Sequence, residues 1–114
     1  MSTLSTHVLD VSVGRPAAEL GIVLEAVDAR GSMKELARGV TNSDGRVKDF
    51  LPPGTKLAAG LYRLTFDTAS YFRAKGTKGF YPHVHITFEI GANDEHYHVP
   101  LLLSPWGFST YRGS

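Results

Sequence analysis

The chain has 114 residues, 42% of them hydrophobic and 20% charged, with a formal net charge of +1, five histidines and no cysteine. The length suits one domain spanning residues 1–114, because domains most often run ~100–150 residues, and the composition is globular rather than disordered. The lack of cysteine excludes a disulfide scaffold, a thiolate zinc site and a cysteine nucleophile, while near-neutral charge without a basic run excludes a phosphate-tracking surface for nucleic acid. No segment reaches the ~18 apolar residues of a membrane span. The opening residues lack the basic and apolar regions of a secretory signal, so a cytoplasmic protein is expected.

In chain order, Leu4–Val13 is rich in β-branched residues and ends at the turn signal Gly14-Arg15-Pro16, which predicts a first strand. Gly21–Ala29 and Lys34–Thr41 predict two more, the second running into Asn42-Ser43-Asp44-Gly45, where Asp-Gly marks a tight turn. After Pro52-Pro53-Gly54 the alternation resumes at Gly60–Phe66. Asp67-Thr68 then caps a short helix near residues 68–75, with Gly76 as its stop.

The clearest alternation is His83–Ile90, where His83, His85, Thr87 and Glu89 share one face and Val84, Ile86, Phe88 and Ile90 the other. His96–Ser104 follows, and Pro105-Trp106-Gly107 turns the chain into a terminal strand, Phe108–Ser114. Seven or eight short strands with turns every ~8–12 residues predict an all-β antiparallel β-sandwich with one short helix.

The polar residues with chemical potential are few. His96 and His98 project to one face of their strand, as His83 and His85 do one hairpin earlier. Imidazoles ~6–7 Å apart can converge on one metal ion, but no third ligand follows at a fixed spacing, and exposed strand histidines are the simpler reading. His7 stands alone in the first strand, and Arg46 follows the Asp44-Gly45 turn, where a charged residue is ordinarily just solvated. No glycine-rich phosphate loop and no Gly-x-Ser-x-Gly elbow is present.

The segments Leu4–Asp10 (LSTHVLD), Thr41–Arg46 (TNSDGR), Tyr81–His85 (YPHVH) and His96–Ser114 (HYHVPLLLSPWGFSTYRGS) resemble the transthyretin-related 5-hydroxyisourate hydrolases, over essentially the whole chain. The terminal Tyr111-Arg112-Gly113-Ser114 is the most specific element of that likeness. The resemblance implies that the strands number eight, in a transthyretin-like eight-stranded antiparallel β-sandwich assembled as a homotetramer, a dimer of dimers with active sites at the dimer–dimer interface. It implies His7, Arg46 and His98 as catalytic residues and Tyr111, Arg112, Gly113 and Ser114 as substrate-binding residues. The implied reaction opens the small ring of 5-hydroxyisourate with water, without cofactor or metal. Two other readings stay open: a non-catalytic carrier on the transthyretin plan, and a metal protein built on His83, His85, His96 and His98.

Overall fold

A computed structural model describes residues 1–114. The strands are β1 (Thr3–Asp10), β2 (Arg15–Pro16), β3 (Gly21–Val27), β4 (Met33–Val40), β5 (Gly60–Phe66), β6 (Val84–Ile90), β7 (His96–Ser104) and β8 (Gly107–Thr110). The one helix, α1 (Thr68–Ala74), lies between β5 and β6. Two four-stranded sheets form, ordered β2-β1-β7-β8 and β4-β3-β5-β6. No helix is long and apolar enough to cross a membrane.

The period of two decides what each sheet buries. In β1, Leu4, Thr6, Val8 and Asp10 point inward and Thr3, Ser5, His7 and Leu9 stand on the outer face. In β7, Tyr97, Val99, Leu101 and Leu103 point inward and His96, His98, Leu102 and Ser104 outward. The inward apolar residues join Ile22, Leu24, Tyr62, Leu64, Phe66, Val84, Ile86 and Ile90 of the second sheet, together with Ala17, Leu20, Leu57, Tyr71 and Phe72, in one cluster of 19 buried residues. Each large side chain buried this way contributes roughly 1.5–3 kcal/mol of transfer free energy. The core therefore fixes which face of each strand is left for chemistry.

One pairing departs from the all-antiparallel expectation. β1 and β7 are parallel, with Thr3 beside His96, Ser5 beside His98 and His7 beside Pro100. Turn signals report hairpins between neighbours in sequence, whereas β7 returns to β1 only after the whole second sheet has been laid down. A connection that long leaves either direction open. The remaining pairings are antiparallel.

The helix begins and ends as the sequence predicts. Asp67 accepts the N–H of Ser70 at 3.2 Å, Arg73 lies in the last turn, and Gly76 at φ +67° donates to the carbonyl of Arg73 at 3.0 Å. Its buried Tyr71 and Phe72 lock it to the sandwich. The predicted terminal strand is shorter than expected, ending at Thr110, yet its register reappears at an isolated bridge between Gly113 and His98.

Candidate active site

The parallel register places Thr3, Ser5 and His7 of β1 in a row on the outer face of their sheet, next to His96, His98 and Pro100 of β7. His7 and His98 lie diagonally across that boundary with ring centroids 6.5 Å apart. Arg46 reaches the same face from the loop after β4.

That loop is held by a small set of backbone contacts. The Asn42 side-chain oxygen accepts the N–H groups of Asp44 (2.9 Å) and Arg46 (3.2 Å), and the Asn42 N–H donates to the carbonyl of Arg46 at 2.7 Å. Val8 then donates to the carbonyl of Gly45 at 2.9 Å, which fastens the turn onto β1. Gly45 has φ +76°, and a Cβ there would sit 2.3 Å from the carbonyl oxygen of Val8, so only glycine fits.

His7 is oriented by the same turn, its Nε2 lying 2.7 Å from the carbonyl oxygen of Asp44. A carbonyl can only accept, so Nε2 carries the hydrogen, and the neutral ring keeps its lone pair on Nδ1. His98 is oriented from the other side by Ser5, whose Oγ lies 2.8 Å from His98 Nδ1. Burial depresses the proton affinity of His98 below that of an ordinary histidine. The charges of Arg46, His7 and His96 push the same way, and a backbone contact at Ser5 opposes them.

The terminal segment meets this cluster at one residue. Gly113 donates its N–H to the carbonyl of His98 at 2.8 Å, which closes the backbone of the tail against β7. Tyr111 is exposed, and Ser114 is exposed beyond Gly113. Arg112 is turned aside: its guanidinium lies 4.3 Å from the ring centre of Tyr97 and 3.3 Å from a Glu95 carboxylate oxygen. Of the residues expected at the site, the structure thus gathers His7, Arg46, His98 and Gly113, and leaves the side chain of Arg112 elsewhere.

The four histidines weighed as a metal set do not converge. His83 and His85 belong to the region of the second sheet, their rings 5.8 Å apart and His85 Nδ1 2.9 Å from Thr65 Oγ1, whereas His96 and His98 stand on the first sheet. Sequence reasoning missed Ser5, Asn42 and the role of the Asp44 carbonyl. Ser5 was detectable in principle, because it is two residues from His7 and therefore on its face.

No deep pocket encloses the cluster. A cleft of about 540 Å³ runs between β1 and residues 46–55; Ser5, Asn42 and Arg46 border it, and the two imidazoles do not. His7 and His98 instead stand on an open sheet face, with Arg46 near enough for its charge to act on His98. This set can take up a proton, deliver a proton and stabilise developing negative charge.

A two-layer sandwich of this topology, with an acid–base cluster on the outer face of one sheet, is a transthyretin-like β-sandwich. Residues 4–113 match the HIUase/Transthyretin family, and the chain belongs to that family. It is 50% identical to 5-hydroxyisourate hydrolase 2 of Rhizobium meliloti over 116 aligned positions, covering 97% of this chain and 95% of the relative. The structure of Klebsiella pneumoniae 5-hydroxyisourate hydrolase superimposes with a TM-score of 0.87 at 41% identity, with both chains covered completely. Sea bream transthyretin, solved in complex with thyroxine, superimposes with a TM-score of 0.89 at 29% identity, covering 96% of this chain and 93% of that one.

Proposed function

We propose that this protein is a 5-hydroxyisourate hydrolase, with residues 1–114 acting as a single hydrolase domain. Water adds to the C6 carbonyl and the C6–N1 bond breaks, giving 2-oxo-4-hydroxy-4-carboxy-5-ureidoimidazoline. The observation that carries this reading is the placement of His7, Arg46 and His98 on one sheet face, in a chain similar over its full length to hydrolases of that name.

The residues divide the work by their geometry. His7, with its hydrogen committed to Asp44, offers the Nδ1 lone pair to a water and acts as general base. Arg46 cannot serve as a base; its planar donor fork holds the carbonyl oxygen as it becomes an oxyanion. His98, kept largely neutral by burial and neighbouring charge, delivers a proton to the departing nitrogen. Gly113 lets the tail approach His98 closely, and Tyr111 and Ser114 border the ring. Arg112 joins them by leaving Glu95, an exposed contact worth only ~0–1 kcal/mol.

The site is completed in a homotetramer, a dimer of dimers with active sites between the dimers. Two observations support this assembly: the cluster lies on an open face rather than in a pocket, and strands β6 and β8 end their sheets without a partner.

The direct test generates 5-hydroxyisourate from urate with urate oxidase and follows its ultraviolet absorbance. The protein should accelerate the decay well above the spontaneous rate, and His7→Ala or His98→Ala should return it towards that rate. A carrier would bind and leave the decay unchanged.

A further inference from the structure

An unbroken line of hydrogen bonds runs along the boundary between β1 and β7 and ends at His98. Thr3 Oγ1 lies 2.6 Å from His96 Nδ1, His96 Nε2 lies 2.8 Å from Ser5 Oγ, and Ser5 Oγ lies 2.8 Å from His98 Nδ1. The parallel register creates this line by setting each hydroxyl beside the histidine of the neighbouring strand. The outer end is exposed and the His98 end is partly buried.

The line has two self-consistent hydrogen arrangements. In one, His98 Nδ1–H donates to Ser5, Ser5 O–H donates to His96 Nε2, and His96 Nδ1–H donates to Thr3. In the other, every donor and acceptor is reversed, so Ser5 donates to His98 Nδ1 and the hydrogen of His98 sits on Nε2. Ser5 has one hydrogen, so the tautomer of neutral His98 is set by what His96 does. When His96 is protonated on both nitrogens it can only donate to Ser5, which leaves the single Ser5 hydrogen for His98, its one other partner.

We propose that Ser5 and His96 are positioning residues that supply His98 with its proton: His96 takes a proton from solvent and Ser5 passes one on to His98 as His98 releases its own. This inference rests on the hydrolase reading above, with His98 as the donor to the departing nitrogen. The balance closes without a further reactant. The Nε2 hydrogen of His98 goes to the nitrogen, the Ser5 hydrogen goes to His98 Nδ1, and the Nε2 hydrogen of His96 goes to Ser5 Oγ. His96 begins as the cation and ends neutral, and the chain rests in the opposite arrangement until His96 is protonated again.

The relay answers a difficulty in the chemistry. A neutral imidazole is too weak an acid to give up its last hydrogen alone, and imidazolium formation at His98 is opposed by burial and by the charges of Arg46 on the loop, His7 on β1 and His96 on β7. Arg112 of the tail, paired with Glu95 before substrate binds, adds a further positive charge when it moves to the ring. With the positive charge held on exposed His96, His98 can act as an acid while never becoming a buried cation.

The test uses the full chain labelled with ¹⁵N-histidine, from pH 5 to 8, together with turnover of 5-hydroxyisourate. In the wild type, the His98 hydrogen should move from Nδ1 to Nε2 as His96 gains its proton. Ser5→Ala should abolish that coupling and lower kcat about 10–100-fold, within the range of general acid catalysis, and Ser5→Thr should restore most of both. His96→Gln should remove the dependence of kcat on His96 protonation. A His98 tautomer that ignores the His96 titration, or Ser5→Ala turning over at the wild-type rate, overturns the relay. Full activity in His98→Ala would instead overturn the hydrolase assignment of His98, so the two failures are distinguishable.

Discussion

The N–H of Gly113 donates to the carbonyl of His98 at 2.8 Å, and a Cβ built on residue 113 would lie 2.5 Å from Cδ2 of the His98 ring. The tail and the imidazole are therefore in direct contact through the one residue type with no side chain. Gly113→Ala forces either the ring or the tail to move by a sizeable fraction of an ångström. Displacements of about an ångström at a reacting centre can cost ~10²-fold in rate. Gly113→Ala should lower kcat/KM by 10-fold or more while the thermal midpoint stays near wild type, because residue 113 lies outside the core. Removal of Tyr111–Ser114 should abolish turnover with the oligomeric state by sedimentation unchanged. A fully active truncation would remove the tail from the mechanism.

Much of this arrangement is visible in the order of residues. Alternation in Thr3–Asp10 and His96–Ser104 separates buried from outward positions correctly, so the outward setting of His7, His96 and His98 follows from period two. The Asp67 cap and Gly76 stop are local signals and hold as read. The parallel junction of β1 with β7 is not local. Nothing within either strand encodes it, and it alone sets Ser5 beside His98. A serine between outward-facing neighbours reads as a solvated residue until its partner strand is known. Arg112, which the family resemblance expects to bind substrate, rests in the single chain against Glu95 and the face of Tyr97, contacts that no local signal announces.

Arg46 offers a sharp test of charge against shape. Arg46→Lys keeps the positive charge and leaves the loop bonds intact, because Asn42 and Val8 hold that turn through its backbone. It removes the planar fork that can donate twice to one oxygen. Loss of one oxyanion donor typically costs ~3–4 kcal/mol of barrier, or 10²–10³ in kcat. Arg46→Lys should show a loss of that order in kcat with an unchanged circular dichroism spectrum. Wild-type kcat in Arg46→Lys would mean that charge alone suffices.

Two histidines should make stability fall on mild acidification. Burial lowers the proton affinity of His98 and of His85; for His85 the charges of Arg63 and His83 add to the effect and Glu25 opposes it. Below the ordinary histidine value of 6.5 the unfolded chain therefore binds more protons than the folded one. Stability then rises with pH across the window below 6.5 and levels off above it. Urea midpoints measured at pH 5, 6, 7 and 8 should decline below about pH 6.5, and His85→Gln with His98→Gln should flatten the decline. The ion pair of Glu35 with Arg38 acts in a lower window, because that carboxyl is held below its ordinary value of 4.5 chiefly by the hydrogen bond from Arg38. Midpoints that rise on going from pH 7 to 5 would contradict the assignment.

The end of β1 carries a buried carboxylate that has no part in the chemistry. Asp10 is 1% exposed and Tyr71 of the helix 3% exposed, and the tyrosine hydroxyl donates to Asp10 Oδ2 at 2.7 Å. The other carboxylate oxygen takes the backbone N–H and the hydroxyl of Ser12. Burial and the adjoining carboxylate push the tyrosine hydroxyl well above its ordinary titration range, so it stays a donor across the physiological range. This contact is also how the seven-residue helix, too short to persist alone, is tied to the first sheet. Tyr71→Phe leaves Oδ2 buried without its donor and should cost ~1–3 kcal/mol. A loss of ~1 kcal/mol corresponds to roughly 4–8 °C in the thermal midpoint of a chain of about this size. The cost should appear in calorimetry while kcat per folded molecule stays at wild type, because Asp10 points into the core whereas Ser5 and His7 stand on the outer face of β1. Asp10→Asn in the Tyr71→Phe background should recover part of the loss, since an amide is cheaper to bury than a carboxylate. A Tyr71→Phe variant as stable as wild type would show that Ser12 alone satisfies the carboxylate.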